Sequence, residues 1–420
     1  MTAPKKTIDL CVFGATGFTG QLVVEYLAEV ILPANKSLRV AIAGRSQAKL
    51  EQVKRDASAV CEAARSIEII VASSEDLASL DGMAARSRVL ISTVGPYLLH
   101  GIPVVEACLK NNADYVDLTG EVPFMRHCIA KYDAVAKKKA VAIVHSCGYD
   151  SVPSDIGYLY CAEYARRTHG ASLARIHAFV GASRGGASGG TIASMLNMMA
   201  SVPRTELAAS MKPDSLVPDS VPAAARPRER DLRFARYDEV ARSYVAPWIM
   251  EGVNARVVRR SMALRDQSTV PYTEVLLMPN AAYAYLASIA LVAAVVLLSI
   301  PPTRWLLQRF VLPSPGQGPD RQTIVNGFFN HKLIAFTAPG GASAARRIEV
   351  QCRGRRDPGY GWTSRCITEC ALALLDRKLC AIGESGGGVL TPATAIGQSL
   401  ISGLERSGLA FSVTADDVAH

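Results

Sequence analysis

The chain has 420 residues, and 49% of them are hydrophobic, a composition that supports two or three folded domains and excludes a largely disordered chain. The 46 Lys and Arg residues outnumber the 37 Asp and Glu residues, which gives a formal net charge of +9. The excess lies in Arg226–Arg236, Arg256–Arg265 and Arg346–Arg356, which could meet lipid head groups or a phosphorylated substrate, or simply be solvated. With 6% aromatic residues and no nucleic-acid-binding motif, no nucleic acid is expected as a partner.

The ten cysteines are scattered, without a C-x-x-C pair or a neighbouring histidine cluster. The sequence therefore predicts no metal site and no disulfide framework, and it favours a reducing compartment. Cys366 and Cys370 would share one face of a helix, which is more typical of a core position than of a metal ligand. The first strand begins almost at once after Met1, which leaves no room for a cleavable signal peptide. We therefore expect an intracellular protein.

The stretch from Ile8 to Gly20 predicts a buried strand, a glycine-rich turn and a helix in direct succession. Gly14, Gly17 and Gly20 have the spacing G-x-x-G-x-x-G, in which the turn, the approach of a phosphate and the helix packing each require a missing side chain. A helix over roughly 19–30 would direct its free N–H groups at a pyrophosphate. The alternative is a tight turn that binds nothing. The predicted cofactor-binding residues here are Gly14, Ala15, Thr16, Gly17, Phe18, Thr19 and Gly20.

Five further apolar strands follow, separated by helix-length segments. They are predicted at Leu38–Ala43, Ile67–Val71, Val89–Thr93, Tyr115–Leu118 and Val141–His145. Strands that alternate with helices indicate a doubly wound parallel sheet that binds its ligand at the carboxyl ends of the strands. Residues 1–150 are therefore predicted to be an α/β Rossmann domain for a nicotinamide or flavin dinucleotide.

The end of the second strand indicates which cofactor binds. A carboxylate at this position accepts the ribose hydroxyl in NAD-binding folds, but the sequence here reads Ala-Gly-Arg-Ser over 43–46. Arg45 could meet a 2′-phosphate with Ser46 as a second donor, which favours NADP(H), although NAD(H) is not excluded. The alternative is that Arg45 stacks on adenine or caps its helix.

Three more loops follow predicted strands and should face the nicotinamide. Val94, Gly95 and Pro96 are predicted to contact the cofactor, and the turn would hold Tyr97 close to it. The other two loops cover 117–121 and 146–155. In the last loop, Ser151 could cap a helix that begins at Pro153, with Asp155 in its first turn, so a structural role would explain half of its polar residues.

The segment 281–300 contains only Ala, Tyr, Leu, Ser, Ile and Val, and no charged residue lies between Glu274 and Arg304. A helix of this length rises about 30 Å, which matches the hydrocarbon thickness of a bilayer. Tyr283, Tyr285 and Trp305 suit an interface. Three alternatives remain open: a single span, a helix that lies in or dips into a lipid surface, and a buried helix or subunit interface. We expect 281–310 to contact a membrane or lipid-droplet surface.

Taken in order, the motifs of the chain resemble the saccharopine dehydrogenase-like oxidoreductases, which include the mycobacterial trans-acting enoyl reductases and an animal member associated with lipid droplets. The matching segments lie at 14–20, 43–46, 94–97, 117–121, 148–155, 188–191 and 387–395.

The resemblance implies a Rossmann domain, an inserted α+β second domain and a C-terminal segment that packs back on the first domain. The domains are accordingly placed at 1–150, 151–385 and 386–420. In the last segment, Thr391 could cap a helix that Pro392 opens and Gly408 ends, and Leu409–Val413 resembles a short strand.

The resemblance also implies an activity in lipid metabolism, such as glycolipid formation, on a lipid or acyl substrate. The chain could also form a homodimer. If an enoyl thioester is reduced, one residue must donate a proton and another must stabilise an oxyanion. Tyr97 is the first candidate for the proton donor, although it could equally pack under the cofactor. Thr191 could bind the carbonyl oxygen, and Asp150 or Glu121 could orient water or substrate.

Two features limit the analogy. No Tyr-x-x-x-Lys pair stands beside the fourth or fifth strand, so short-chain dehydrogenase chemistry is disfavoured, and the substrate-binding arginines of true saccharopine enzymes are not identified. The first hypothesis is an NADP(H)-dependent oxidoreductase that acts on a lipid or acyl substrate at a membrane surface. The alternative is a non-catalytic dinucleotide-binding redox sensor or lipid-attached scaffold protein.

Overall fold

A computed structural model of the chain describes residues 6–186, 194, 196–198, 200–266, 268–310, 318–339 and 344–419. These residues form two seven-stranded sheets. The strands are β1 Ile8–Phe13, β2 Val40–Gly44, β3 Glu68–Val71, β4 Ser87–Ser92, β5 Asp114–Asp117, β6 Ala142–Val144, β7 Leu173–Arg184, β8 Arg236–Asp238, β9 Ser243–Pro247, β10 Tyr272–Met278, β11 Phe328–Thr337, β12 Arg346–Arg355, β13 Gly388–Leu390 and β14 Leu409–Val418. The α-helices are Phe18–Tyr26, Leu32–Ala34, Gln47–Val60, Leu77–Arg86, Tyr97–Lys110, Val122–Lys139, Val152–His169, Arg204–Ser210, Glu251–Asp266, Ala281–Ser299, Pro301–Phe310, Arg321–Asn326, Thr363–Leu375, Pro392–Ala395 and Leu400–Ser407.

The first sheet has the order β13-β6-β5-β4-β1-β2-β3, and every pairing in it is parallel. The six predicted strands are all present, and the predicted Rossmann-type doubly wound sheet is confirmed. The chain order reverses between β1 and β4, because β1 pairs with β2 on one edge and with β4 on the other. In sheets of this type the ligand crevice lies at such a reversal, outside the carboxyl ends of the strands.

The sheet is covered on both faces, which explains why β1 and β2 are buried along their whole length. One face packs against helices Leu77–Arg86, Tyr97–Lys110 and Val122–Lys139. The core on the other face includes Val12 of β1 together with Val350 of β12, so it continues into the second sheet. The two sheets therefore share one hydrophobic core, and the crevice lies against a second domain that cannot separate without exposing that core.

The second sheet has the order β14-β12-β11-β7-β10-β9-β8. Strands β10 and β7 are parallel, and the other neighbours are antiparallel. Helix Val152–His169 follows the last predicted loop and packs against β11 and β12, while helix Glu251–Asp266 packs against β10. The loop after β6 is thereby held between the two domains. This mixed sheet confirms the α+β character expected of the second domain.

The C-terminal segment is divided between the two sheets. Gly388–Leu390 adds a parallel strand beside β6. As predicted, the Thr391 side chain accepts a hydrogen bond from the Thr394 N–H, and Gly408 ends the last helix at φ +98°. The helical region is interrupted at 397–399, and Leu409–Val418 runs longer than the expected strand. This strand pairs with β12 of the second sheet instead of packing on the first domain.

The basic group at 256–265 is mostly buried, and of its four arginines only Arg265 is exposed. Arg256, Arg259 and Arg260 are each at most 3% exposed. Arg256 pairs with Asp231 at 2.6 Å, while Arg259 and Arg260 donate to backbone carbonyl oxygens of other segments. Guanidinium groups that tie loops to a buried helix are no longer available to a phosphate or a lipid.

Candidate functional site

The glycine loop, residues 14–20, forms the centre of the candidate site. Gly14 follows β1 at φ +90°, and a Cβ there would lie 2.7 Å from side-chain atoms of both Thr93 and Val94. A Cβ on Gly20 would overlap the Gly14 carbonyl oxygen. At both positions the neighbouring atoms lie too close for a side chain, so the tight loop requires glycine there.

The N-terminus of helix Phe18–Tyr26 is available to an anion. Gly17 precedes the helix without a side-chain cap, and the first turn contains no acidic residue. The first N–H groups of a helix have no partner within it, and the helix dipole favours negative charge there. This combination fits a pyrophosphate, which supports the role predicted for the loop.

The remaining loop residues support this arrangement. The Ala15 N–H donates to the Ala43 carbonyl at 3.2 Å, which ties the loop to the end of β2. The Thr16 carbonyl accepts from the Gln21 side chain at 2.9 Å, and Phe18 and Thr19 are half-buried. The Phe18 ring meets the Tyr360 ring edge-on with 5.3 Å between centroids. The loop is thus anchored to both domains.

Arg45 and Ser46 differ in their surroundings. Arg45 is exposed at the end of β2, and within the part of the chain that the structure describes it has no hydrogen bond or ion pair. The Ser46 hydroxyl accepts from the Lys49 N–H at 3.4 Å and caps helix Gln47–Val60. The capping alternative therefore applies to Ser46, whereas the Arg45 guanidinium is available to a 2′-phosphate.

The loop at 94–96 approaches the glycine loop from the neighbouring strand β4. The Val94 side chain faces Gly14, Gly95 is exposed, and Pro96 precedes the next helix. The Ser194 hydroxyl lies 3.3 Å from the place where a Cβ on Gly95 would stand. A segment of the second domain therefore lies close to this loop. Thr191, the predicted carbonyl-binding residue, lies outside the described residues, so its role stays a prediction.

Tyr97 is placed beneath the site instead of inside it. Its side chain is 6% exposed, and its hydroxyl donates to the Ser92 carbonyl at 3.1 Å and accepts from the Leu118 N–H at 3.2 Å. Burial and the nearby Asp117 carboxylate raise its pKa well above the ordinary value. A hydroxyl bound to two backbone groups is poorly placed to protonate a substrate. The geometry favours the packing alternative that the sequence left open.

The Glu121 side chain also binds backbone groups. Its two carboxylate oxygens accept from the Tyr97 and Leu98 N–H groups at 2.8 and 2.9 Å, so it caps the helix that Tyr97 opens. It is 1% exposed, and burial raises its pKa. Ser194 supplies a further hydrogen bond to this carboxylate. The geometry therefore gives Glu121 a positioning role that joins the loop at 94–96 to the second domain.

Asp150 differs from these two residues. It is half-buried on the loop after β6, and among the described residues it has no hydrogen bond or ion pair. Burial raises the pKa of its carboxyl to about 6, and the Glu274 carboxylate adds to the shift. Of the predicted catalytic residues that the structure describes, Asp150 is the one whose polar group is left for a ligand.

A network of buried polar residues lies beside Asp150, and the sequence analysis did not identify it. We call Ser151, Ser154, Asn254, Tyr272 and Glu274 the interdomain polar cluster. Glu274 accepts from Ser154 and Tyr272 at 2.7 Å and from Asn254 at 2.6 Å, and burial raises its pKa. Ser151 donates to Asn254 at 3.1 Å. The one signal in the sequence is a glutamate within the otherwise uncharged strand β10.

No candidate metal centre accompanies the site: within the described ranges, no group of three or more His, Cys, Asp and Glu residues is placed to hold a metal ion. All ten cysteines are free, and nine of them are buried. Cys366 and Cys370 lie in the main hydrophobic core.

The apolar helix, Ala281–Ser299, stands apart from this site. It is the one helix among the described residues that is long and apolar enough to cross a membrane, with a mean hydropathy of 2.3 over its most apolar window. Ala284 and Ser288 are its buried residues, and 11% of that window is buried. Asn280 caps its N-terminus through the Tyr283 N–H at 3.2 Å. This helix leaves most of its apolar surface uncovered.

The fold and the site define a dinucleotide-binding protein with a Rossmann domain and a second mixed-sheet domain. The family model for the saccharopine dehydrogenase NADP binding domain matches residues 10–144 of the chain. The trans-acting enoyl reductases of Mycobacterium ulcerans and Mycobacterium leprae are each 31% identical to the chain, over 99% of both chains. A Mycobacterium tuberculosis protein that carries the same name provisionally is 36% identical over 437 residues, again 99% of both chains.

The chain therefore belongs to the saccharopine dehydrogenase-like oxidoreductase family, and its cofactor is NADP(H). Among solved structures, apo saccharopine dehydrogenase (L-Glu forming) from Saccharomyces cerevisiae is similar with a TM-score of 0.51. The alignment covers 97% of this chain and 100% of that one at 15% identity, so it supports the fold alone.

Proposed function

We propose that the protein reduces an acyl-type lipid substrate, such as a 2-enoyl thioester, with NADPH at a membrane surface. The observation that carries this proposal is the half-buried Asp150 carboxyl, which has no partner among the described residues and lies on the loop after β6, at the carboxyl end of the first sheet. The full-length similarity to trans-acting enoyl reductases supports the choice of substrate class.

The residues present fit NADP(H). The uncapped helix at Gly17 would hold the pyrophosphate, the exposed Arg45 would hold the 2′-phosphate, and Val94 to Pro96 would line the nicotinamide side. When bound, the cofactor supplies hydride to the β-carbon of the enoyl group. The chain then has to deliver a proton to the α-carbon as electron density moves onto the thioester oxygen.

Asp150 is the proposed proton donor. A carboxyl with a pKa of about 6 retains its proton in a useful fraction of molecules near neutral pH, whereas an ordinary aspartate is almost fully ionised there. Transfer of this proton breaks the O–H bond of Asp150 and forms the α C–H bond of the product. Solvent then reprotonates the carboxylate, because Asp150 is not fully buried.

Membrane contact is proposed through 281–310 of an intracellular protein. Leu286 and Ile289 of the apolar helix are 63% and 57% exposed, and Trp305 and Phe310 in the next helix are 60% and 73% exposed. A contiguous apolar surface of this kind is typical of a lipid or protein contact. An acyl substrate would be concentrated at the same surface.

The test is NADPH oxidation by the full chain in lipid nanodiscs, with short- and long-chain 2-enoyl thioesters. We expect NADPH oxidation with enoyl substrates and a loss of about a hundredfold in kcat for Asp150→Asn, in the range of general acid catalysis. NADPH binding by fluorescence should be unchanged in this variant. Asp56→Asn, at an exposed position of helix Gln47–Val60, is the matched control.

The alternative, a redox sensor or scaffold without turnover, makes a different prediction. It requires tight NADPH binding without oxidation across the substrate panel, and equal behaviour of Asp150→Asn and the control. That result would overturn the proposed activity.

A further inference from the structure

The position of the apolar helix between two strands of one sheet limits how it can meet a membrane. Strand β10 ends at Met278 just before the helix, and β11 begins at Phe328 after it. Only β7 separates these two strands in the second sheet. A single crossing of a bilayer would place β10 and β11 on opposite sides of it. The fold therefore excludes a single span while the second sheet is intact.

The chain also returns to the cofactor side of the molecule directly after the apolar segment. Gly318 lies against the Phe18 ring, where an added Cβ would overlap the ring atoms. Arg321 forms a bidentate ion pair, with distances of 2.8 and 2.6 Å, with Glu25. Glu25 lies on the helix that begins with Phe18. Both ends of the segment are thus fixed to the same folded body.

A sharp corner divides the segment into two helices. The apolar helix ends at Ile300 in extended backbone, and the return helix, Pro301–Phe310, begins at once. The Thr303 hydroxyl donates to the Ile300 carbonyl at 3.0 Å and holds the corner. Arg304 follows immediately, and Arg309 is exposed near the end of the return helix. An arginine is costly at the centre of a bilayer, so these residues favour a shallow position of the corner.

The charges around the segment favour an anionic lipid surface. Residues 275–319 contain no acidic residue. At the base of the apolar helix, the centroids of the Phe234 and Tyr285 rings lie 5.7 Å apart. Arg233, next to Phe234 in the chain, and Arg242, between β8 and β9, are exposed. The carboxylates nearby are Asp238, which is buried and pairs with Arg236, and Glu239, which is exposed. Aromatic and arginine side chains together at the base of the apolar helix suit the head-group region of a membrane.

We infer that the apolar helix and the return helix form a helical hairpin that enters one leaflet of an anionic membrane, crosses neither leaflet fully, and leaves both domains on the same side. The inference rests on the membrane contact of the proposed function but not on its chemistry. It selects one of the three alternatives that the sequence left open.

The first experiment tests the depth of the corner. Ser299 is exposed at the corner, and Cys61 is the one cysteine that is not buried, so Ser299→Cys in a Cys61→Ser background gives a single site for a fluorescent label. In sealed phosphatidylcholine and phosphatidylglycerol vesicles, we expect quenching by a shallow lipid-bound quencher in the outer leaflet. An impermeant quencher trapped inside the vesicles should have no effect. Quenching from inside would show a crossing and overturn the inference.

The second experiment tests lipid as the occupant. Leu286→Glu with Ile289→Glu should abolish vesicle flotation, while Leu77→Glu with Leu379→Glu, at 62% and 66% exposed positions, should not. NADPH binding should be retained in both. If the first pair instead converts a lipid-free dimer to a monomer and flotation never occurs, the helix covers a second copy and the inference fails. Flotation without any enoyl reduction would refute the proposed activity but would still support the membrane hairpin.

The third experiment tests the lipid charge. Arg304→Gln with Arg309→Gln should weaken binding to phosphatidylglycerol-containing vesicles about tenfold and leave binding to pure phosphatidylcholine vesicles unchanged. Arg55→Gln with Arg65→Gln, on exposed positions of the Rossmann domain, is the control. Equal loss on both vesicle types would contradict the preference for anionic lipid.

Discussion

The side-chain nitrogen of Asn254 donates to Oε1 of Glu274 at 2.6 Å, and the Asn254 oxygen accepts from Ser151 at 3.1 Å. This pair of hydrogen bonds links strand β10 of the second domain to the loop that carries Asp150. Since Glu274 also adds to the raised pKa of Asp150, the second domain both holds the loop that carries Asp150 and influences the protonation of its carboxyl.

The first prediction concerns the pH dependence of reduction. The pKa of Asp150 is raised to about 6 and the donor must be protonated, so kcat should fall as pH rises through about 6. Glu274→Gln removes the charge that helps to raise this pKa, and it should move the falling limb to lower pH. The measurement is kcat against pH at saturating NADPH. Glu239→Gln, at an exposed position, should leave the limb in place. An identical limb in both variants would contradict the assignment.

The second prediction concerns Tyr97. Tyr97→Phe removes a hydroxyl that bonds to Ser92 and Leu118, so it should lower the free energy of unfolding by about 1–3 kcal/mol through two unsatisfied backbone groups. Its kcat should stay within about threefold of the parent protein, since the hydroxyl does not face the cleft. Urea unfolding and steady-state kinetics on the same preparation would check both values. A large loss of kcat without a loss of stability would restore Tyr97 as the proton donor.

The contrast between Tyr97 and Gly14 shows what the sequence can predict. The glycine spacing and the six strands depend on local backbone requirements, and the NADP(H) preference depends on one side chain at a fixed position after the second strand, so the sequence carries all three directly. The surroundings of Tyr97 depend on backbone groups of two other segments, Ser92 at the end of β4 and Leu118 just after β5. The interdomain polar cluster joins residues more than a hundred positions apart, as in the hydrogen bond from Ser154 to Glu274. Side chains brought together only by domain packing leave no spacing to recognise.

The third prediction tests the 2′-phosphate contact. Arg45→Asp should weaken NADPH binding at least about tenfold, because a charge-assisted contact of this kind contributes about 1.5–3 kcal/mol. NADH binding should change much less, since NADH lacks the 2′-phosphate. Fluorescence titration of both cofactors provides the comparison. Arg55→Asp, an exposed arginine on the next helix, serves as the control for net charge. Equal losses of NADPH and NADH affinity would exclude the contact.

The fourth prediction tests the glycine loop. Gly14→Ala places a Cβ 2.7 Å from Thr93 and Val94 in backbone of positive φ, so we expect loss of NADPH binding together with lower stability. Gly82→Ala is the matched control, because a Cβ at that helical position meets nothing within 4 Å. The control should gain about 0.5–1 kcal/mol, as a glycine to alanine change does inside a helix. Full NADPH affinity in Gly14→Ala would contradict the assigned role.

The last prediction concerns stability and pH, and it follows from two further buried carboxyl groups. Burial raises the pKa of Glu251 to about 8 and that of Asp155 to about 7, both far above the values near 4 of an unfolded chain. The folded state therefore binds more protons than the unfolded state between about pH 4 and pH 8. Their contribution to stability is complete below about pH 4 and is lost as pH rises through the folded pKa values. The free energy of unfolding in urea should accordingly fall from pH 5 to pH 8. Glu251→Gln removes one titrating group and should flatten this slope even where its absolute stability is lower, whereas Glu239→Gln should reproduce the parent slope. A slope that Glu251→Gln leaves unchanged would show that this carboxyl is not buried in its protonated form.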